Sequence, residues 1–313
     1  MLLLVRGLKP GPCLFVSAAM HGDEINGVEV IYRLLRRLSP RRLRGTVIAV
    51  PVVNVYGFIN QSRYLPDRRD LTRVFPGSDN GSLTSRLARL FMQEIVAHCT
   101  HGIDLHTGSH HRTNPPQIRA GLDNPETARL ARAFGAPVIL HANLRDGSLR
   151  QAVAERGIPM LLYEAGEALR FDEVAIRAGV KGILSVMQAI DMLPTSRSRK
   201  VPFEPLVSRS STWVRAPMSG IFRTPTPLGR KVTAHTMLGS IGDPFGDNEV
   251  DITASASGVV IGRLNLPLVY RGDALSHIAR FDRSSAIDDA LEAFERDAEL
   301  HAELEPFDRL NSI

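Results

Sequence analysis

The tetrapeptide His21-Gly-Asp-Glu24 stands directly after an apolar run, residues 13–20, and directly before a helical pattern. A strand ending in His-x-x-Glu puts an imidazole and a carboxylate into the crevice at the carboxyl edge of a sheet, and Gly22 eases the turn between them. Zinc takes these donor types, and two histidines with one glutamate leave its fourth position open for water. The third donor must come from another strand end. His106 closes the run Gly102-Ile-Asp-Leu-His106 and fits that need. On its own, His21 reads better as a polar strand cap; two strand ends that each present a histidine, one beside a glutamate, favour a metal. His110 and His111, in the loop beyond Gly108, and His141, at the end of another apolar run, are rival donors.

Glu164 ends the run Met160-Leu-Leu-Tyr-Glu164. A carboxylate there, near a metal-activated water, suits a general base. A lone carboxylate closing a buried strand is otherwise costly. The plain alternative is a surface loop acid, the better description of Glu167. Residues 63–77 form a long polar loop that carries Arg63, Arg68, Arg69 and Arg73. Guanidinium forks pair with carboxylates and stabilise developing oxyanions, although a solvated basic loop has the same composition.

These residues need a scaffold that brings separate strand ends together. Short, unbroken apolar runs at 13–18, 46–53, 102–105, 137–140 and 160–163 predict strands buried on both faces. Helical patterns at 25–38, 83–98, 125–134, 149–156 and 171–192 alternate with them. That order predicts an α/β fold, a mostly parallel, mixed sheet flanked by helices. Pro194-Thr-Ser-Arg-Ser-Arg-Lys200 is a polar, proline-led linker. Past it, glycine-punctuated short strands predict a second, smaller all-β domain. Its two halves echo each other: Arg215-Ala-Pro-Met-Ser-Gly220 parallels Thr253-Ala-Ser-Ala-Ser-Gly258, which suggests a pseudo-symmetric sandwich. The expected division is a hydrolase domain at 1–194, a β-sandwich module at 195–282 and an acidic amphipathic tail at 283–313. In that tail Ile287, Leu291 and Phe294 share one helical face.

With 43% hydrophobic and 23% charged residues, the 313-residue chain has the composition of a folded protein that needs no staples. The basic cluster Arg36-Arg37, Arg41-Arg42 and Arg44 lacks interleaved aromatics, so it reads as a solvated helix end and not as a nucleic-acid surface. Cys13 and Cys99 have no CxxC partner, which suits a reducing compartment. No apolar run approaches the roughly 20 residues that span a bilayer, and the apolar start is cut off by Arg6 without a cleavage pattern. The expected setting is cytoplasmic, without membrane or nucleic-acid partners. A homo-oligomer formed through the β module or the tail stays open.

Together these stretches resemble the succinylglutamate desuccinylase/aspartoacylase family, whose fold is similar to that of the zinc carboxypeptidases. The matching pieces are His21-Gly-Asp-Glu24-Ile-Asn-Gly27, Pro51-Val-Val-Asn54-Val-Tyr-Gly57, Arg63, Asp70-Leu-Thr-Arg73-Val-Phe-Pro-Gly77, Asp104-Leu-His106-Thr-Gly108 and Glu164-Ala-Gly166. The resemblance implies one zinc ion per chain on His21, Glu24 and His106, with Glu164 as general base and then acid. It implies Arg63 at the oxyanion, Arg73 on a substrate carboxylate with Asn54 and Thr72 beside it, and Asp70 orienting a metal-bound histidine. The family reads Asp-Leu-Asn-Arg where this chain has Thr72, so a hydroxyl replaces a carboxamide. The β module resembles a barrel-sandwich domain, but its only lysine past the linker, Lys231, lies outside any attachment motif, so a lipoyl or biotin carrier role is rejected. The implied activity is deacylation of a small N-acyl amino acid with a free carboxylate. The rivals are a carboxypeptidase using the same residues and a non-catalytic binding protein on the same scaffold.

Overall fold

The computed structural model describes residues 2–194, 204–246 and 248–281. The acidic tail and all of the linker after Pro194 lie outside the described residues. The chain begins with β1 (Leu3–Arg6), β2 (Lys9–Ala18), α1 (Asn26–Arg37), β3 (Arg44–Val50), α2 (Val55–Ile59), α3 (Leu83–Glu94) and β4 (His101–Gly108). It continues through β5 (Arg112–Ala120), α4 (Pro125–Phe134), β6 (Val138–His141), α5 (Leu149–Ala154), β7 (Met160–Glu167) and α6 (Glu173–Ala189). Short strands follow: β8 (Leu206–Ser208), β9 (Ser210–Arg215), β10 (Gly220–Arg223), β11 (Lys231–Val232) and β12 (Met237–Gly242). The last are β13 (Glu249–Thr253), β14 (Gly258–Leu264), β15 (Leu268–Val269) and β16 (Ala274–Arg280).

Strands β3, β2, β4 and β7 lie side by side and parallel. Alternate residues of β2 feed two cores, Leu14, Val16 and Ala18 on one face and Phe15 on the other, which is why the run carries no polar alternation. The helices close in the way their ends dictate. In α4, Asn124 caps the Thr127 N–H, Pro125 opens the first turn, and Gly135 at φ 78° ends it in the left-handed region. The predicted helix at 83–98 breaks at Ile95 into α3 and a separate 3₁₀ turn, Val96–His98.

Polarity of the sheet changes at β5. It runs antiparallel to β7, and β6 is parallel to β5. This strand has no counterpart among the predicted ones, because Pro115 and Pro116 interrupt a polar segment. The prolines fall at a register shift between Asn114 and Gln117, where a bulge tolerates their missing N–H groups. On its far side β5 pairs with β14, through Thr113–Arg263 and Arg112–Leu264, so the sheet continues into the β module.

There β14, β16 and β9 face a four-stranded sheet, β13-β12-β10-β15, over a core that includes Phe222, Leu238, Ile241, Val260 and Leu275. The sequence echo has a structural counterpart: Gly220 opens β10 in the small sheet and Gly258 opens β14 in the large one. Cys13 and Cys99 are free thiols 3.5 Å apart, although 86 residues separate them in sequence. No helix among the described residues is long and apolar enough to cross a membrane.

Within the module His277 stacks on Trp213, with ring centroids 4.3 Å apart, and bonds Ser211 through Nε2. Burial, aided by the Arg119 charge, pushes its imidazole down to about 3. A depressed histidine stabilises the fold above its unfolded pKa, and that contribution fades as pH falls toward the native value. We expect wild type to lose about 2–3 kcal/mol through this residue between neutral pH and pH 4.5. His277→Phe should remove that part of the acid dependence in denaturant titrations at the two pH values; an unchanged dependence would exclude the assignment.

Candidate metal centre

Ala19, at φ 48°, turns the chain off the end of β2 in a conformation rare for a residue with a Cβ, and His21-Gly-Asp-Glu24 follows at once. Its carbonyl and that of Ala18 accept the Asn54 and Val53 N–H groups, which ties the loop after β3 to this turn. The Glu24 N–H bonds the His21 carbonyl, closing a tight turn that leads into α1. Gly22 is required here by proximity: a Cβ would sit 1.9 Å from the Gly57 carbonyl carbon.

His21, Glu24 and His106 meet at the carboxyl edge of β2 and β4, each offering one ligand atom within 4.8 Å of the others. They are only 4%, 2% and 6% exposed. His21 Nδ1 lies 2.8 Å from Glu24 Oε1, and His106 Nδ1 lies 2.8 Å from Glu24 Oε2. Glu24 Oε2 also accepts the Thr107 N–H at 3.0 Å, and Arg63 Nη1 donates to Oε1 at 3.2 Å. Each imidazole turns its other nitrogen to a second carboxylate. His21 Nε2 is 3.1 Å from Asp70 Oδ1, and His106 Nε2 is 2.8 Å from Asp104 Oδ2. Such carboxylate–histidine pairs fix the ring and its tautomer for a metal on the opposite nitrogen.

The electrostatics fit a divalent cation. Burial opposes charge on every member, but partners outweigh it: His21 and His106 hold Glu24 well below the usual carboxylate range. Asp104 and Glu24 hold His106 well above its ordinary value, and Glu24 with Asp70 raises His21. Three carboxylates, Glu24, Asp70 and Asp104, face Arg63 and two imidazoles. Two imidazole protons neutralise this set, and so does one doubly charged ion in their place. Among the described residues this is the one group with metal-ligand geometry.

Glu164 sits directly opposite His106 in the β4–β7 register, one strand away on the same face. On its other side Gln117 Nε2 donates to Glu164 Oε2 at 3.0 Å, and Arg119 Nε lies 2.7 Å from the same oxygen. Arg63 forks onto Asp70 Oδ2, with Nη2 at 2.9 Å and Nε at 3.2 Å. Thr72 donates its hydroxyl to Asp70 Oδ1 at 2.7 Å and lies 3.3 Å from His21 Nε2, so it faces the histidine's own support. Asn54 is fully buried; its Oδ1 caps α2 on the Gly57 N–H and its Nδ2 reaches the Arg63 carbonyl. Arg73 is exposed at the end of the 3₁₀ turn Leu71–Arg73, close enough to Arg145 and Arg63 to feel both charges.

His141 does not reach this centre. Because β6 runs opposite to β7, its carboxyl end lies at the other edge of the sheet, where His141 Nδ1 accepts the Leu122 N–H. His110 and His111 occupy consecutive left-handed positions at φ 52° and 56° in the loop joining β4 to β5, outside the ligand group. Asp104 and Gln117 were not among the expected site residues. Asp104 did carry a signal, since residues two apart on a strand share a face and it precedes His106 by two. Its Oδ1 is further anchored by the Ser17 hydroxyl at 2.7 Å.

Residues 10–190 match the succinylglutamate desuccinylase/aspartoacylase catalytic domain, which is more than half of the chain. The chain therefore belongs to this family of amide-bond hydrolases. A Halomonas elongata protein described as N-alpha-acetyl-L-2,4-diaminobutyric acid deacetylase is 28% identical over 86% of this chain and 82% of its own length. The crystal structure of a succinylglutamate desuccinylase/aspartoacylase from Rhodobacter sphaeroides superposes with a TM-score of 0.81 at 26% identity, covering 91% of this chain and 89% of that one. The product-bound ectoine utilization protein EutE (DoeB) of Ruegeria pomeroyi shares the fold, with a TM-score of 0.82 at 24% identity and coverage of 89% and 88%.

Removing the Asp104 carboxylate should loosen His106 as a ligand. We expect Asp104→Asn to weaken metal binding about 10- to 100-fold, read by competition with a chromogenic chelator. An affinity equal to wild type would show that Asp104 does not support the ligand.

Proposed function

We propose that the chain is a zinc-dependent amidohydrolase that removes the acyl group from a small N-acyl amino acid bearing a free carboxylate. The observation that carries this reading is the β4–β7 register: it sets Glu164 beside His106, one strand from a buried His-Glu-His donor set. The Halomonas relative, named for an N-acetylated diamino acid, supports the same substrate class.

His21, Glu24 and His106 would hold the metal, which when bound polarises the scissile carbonyl and lowers the pKa of a water toward about 7. Glu164 takes the proton of the attacking water and returns it to the amide nitrogen as the carbon–nitrogen bond breaks. Arg63, fixed by Asp70 and Glu24, offers its charge to the developing oxyanion. With the Thr72 hydroxyl engaged by Asp70, the substrate carboxylate falls to Arg73. Asn54 contributes through the Arg63 backbone it holds. All of these residues belong to the 1–194 domain. The β module touches the loop that joins β4 to β5, where Asn265 donates its N–H to the His111 carbonyl, and the start of β5, where Arg112 donates to the Ala274 carbonyl.

We expect Glu164→Gln to retain zinc and lose about 10²- to 10⁴-fold of turnover. Release of primary amine from a panel of N-acetyl and N-succinyl amino acids measures it, beside metal content on the same sample. A variant with zinc bound and undiminished turnover would remove Glu164 from the mechanism.

A further inference from the structure

Glu164 is gripped from one side only. Gln117, in register opposite it on β5, and Arg119, two residues further on the same face, both approach Oε2. Oε1 makes no hydrogen bond among the described residues. The Arg119 contact, at 2.7 Å, is an ion pair whose Nε–H does not point along it. We infer that Gln117 and Arg119 are positioning residues that hold Glu164 by Oε2 and leave Oε1 free to carry the proton. The inference rests on the reading of Glu164 as the proton carrier.

Two features of β5 point to a working role for the pair. Gln117 is fully buried, and among the described residues its Oε1 has no hydrogen-bond partner. An unpaired buried acceptor is a standing cost to the fold, so stability alone would put an apolar residue of similar size at this position. Gln117 Nε2, bonded to Glu164, is the half of the carboxamide that has a function. The second feature is the Pro115-Pro116 bulge. A one-residue slip turns every later side chain to the opposite face. With the bulge in place, Gln117 and Arg119 face Glu164, while Ile118 enters the core shared with α6.

The clamp also suits the chemistry. A glutamate has several rotatable bonds, and a proton carrier must return to the same place in both halves of the reaction. Fixing one oxygen removes that freedom while the other stays available. A misplacement of about 1 Å at a reacting group can cost on the order of 100-fold in rate.

The test uses full-length protein loaded with zinc and compares Gln117→Met, Arg119→Met, Arg119→Lys and Glu164→Gln for kcat, KM, metal content and melting temperature. For Gln117→Met we expect a melting temperature no lower than wild type, unchanged zinc and KM, and kcat reduced about 10- to 100-fold. Arg119→Met should lose kcat similarly, and Arg119→Lys should recover most of it. If Gln117→Met fails to fold, the two Arg119 variants decide the matter by the same kcat comparison. Wild-type kcat in the folded Gln117 and Arg119 variants, with Glu164→Gln inactive, overturns the clamp and leaves the base standing. A raised KM at constant kcat in Arg119→Met also overturns it, by making Arg119 a substrate ligand. Full activity in Glu164→Gln overturns the base and the clamp together.

Discussion

A carboxylate buried to 2% exposure cannot stay ionised without donors on every side, and the active region is built around that requirement at Glu24. Burying such an ion without partners costs several kcal/mol. Here the partners are two imidazoles, the Thr107 N–H and the Arg63 guanidinium. They come from the turn after β2, the loop after α2 and the end of β4. Convergence of these three segments is therefore an electrostatic demand as much as a matter of sheet topology.

From that centre the network runs outward in alternating charge: Asp70, His21, Glu24, His106, Asp104, then the Ser17 hydroxyl. Each link fixes the next, and low local polarity strengthens every one. The cost is that no member is expendable, since deleting one leaves a buried partner unpaired. The same ledger makes protons and a divalent cation competitors for the set. Thr72 belongs to this network through Asp70, so the hydroxyl that stands where the family has asparagine supports the histidine side.

Much of this could be read from residue order. The buried parallel strands announce themselves because both faces of β2 and β4 are covered, and strand ends locate His21, His106 and Glu164 at one edge. A mixed sheet was expected, but the residues do not say which strand is the reversed one. His141 ends a strand as His106 does, but β6 is reversed, and no local feature of the Val138–His141 run reveals its direction. Gly22 was legible as a turn residue, but a second constraint on it, the backbone of Gly57, 35 residues on, is displayed only by the folded chain. Asp104 could have been found from period-two spacing alone. Gln117 and Arg119 could not, because the strand that carries them does not look like one.

That strand explains how the two parts of the molecule cooperate. A hydrophobic β5 would have been easy to recognise, but it would have placed apolar side chains against Glu164 at the centre of a polar site. Its polarity matches what it borders: Gln117 and Arg119 reach Glu164, Asn114 Nδ2 bonds the Ile261 carbonyl of β14, and Arg112 reaches Ala274 at the start of β16. The two prolines supply the kink that lets one strand serve both neighbours, pairing antiparallel with β7 through Gln117–Glu164 and then with β14 through Thr113 and Arg112. Its sequence is weak as a strand because Arg112, Thr113, Asn114, Gln117 and Arg119 are all committed to polar contacts with neighbouring segments. One strand thus carries both the junction with the β module, at Arg112 to Asn114, and the side chains that hold Glu164, at Gln117 and Arg119.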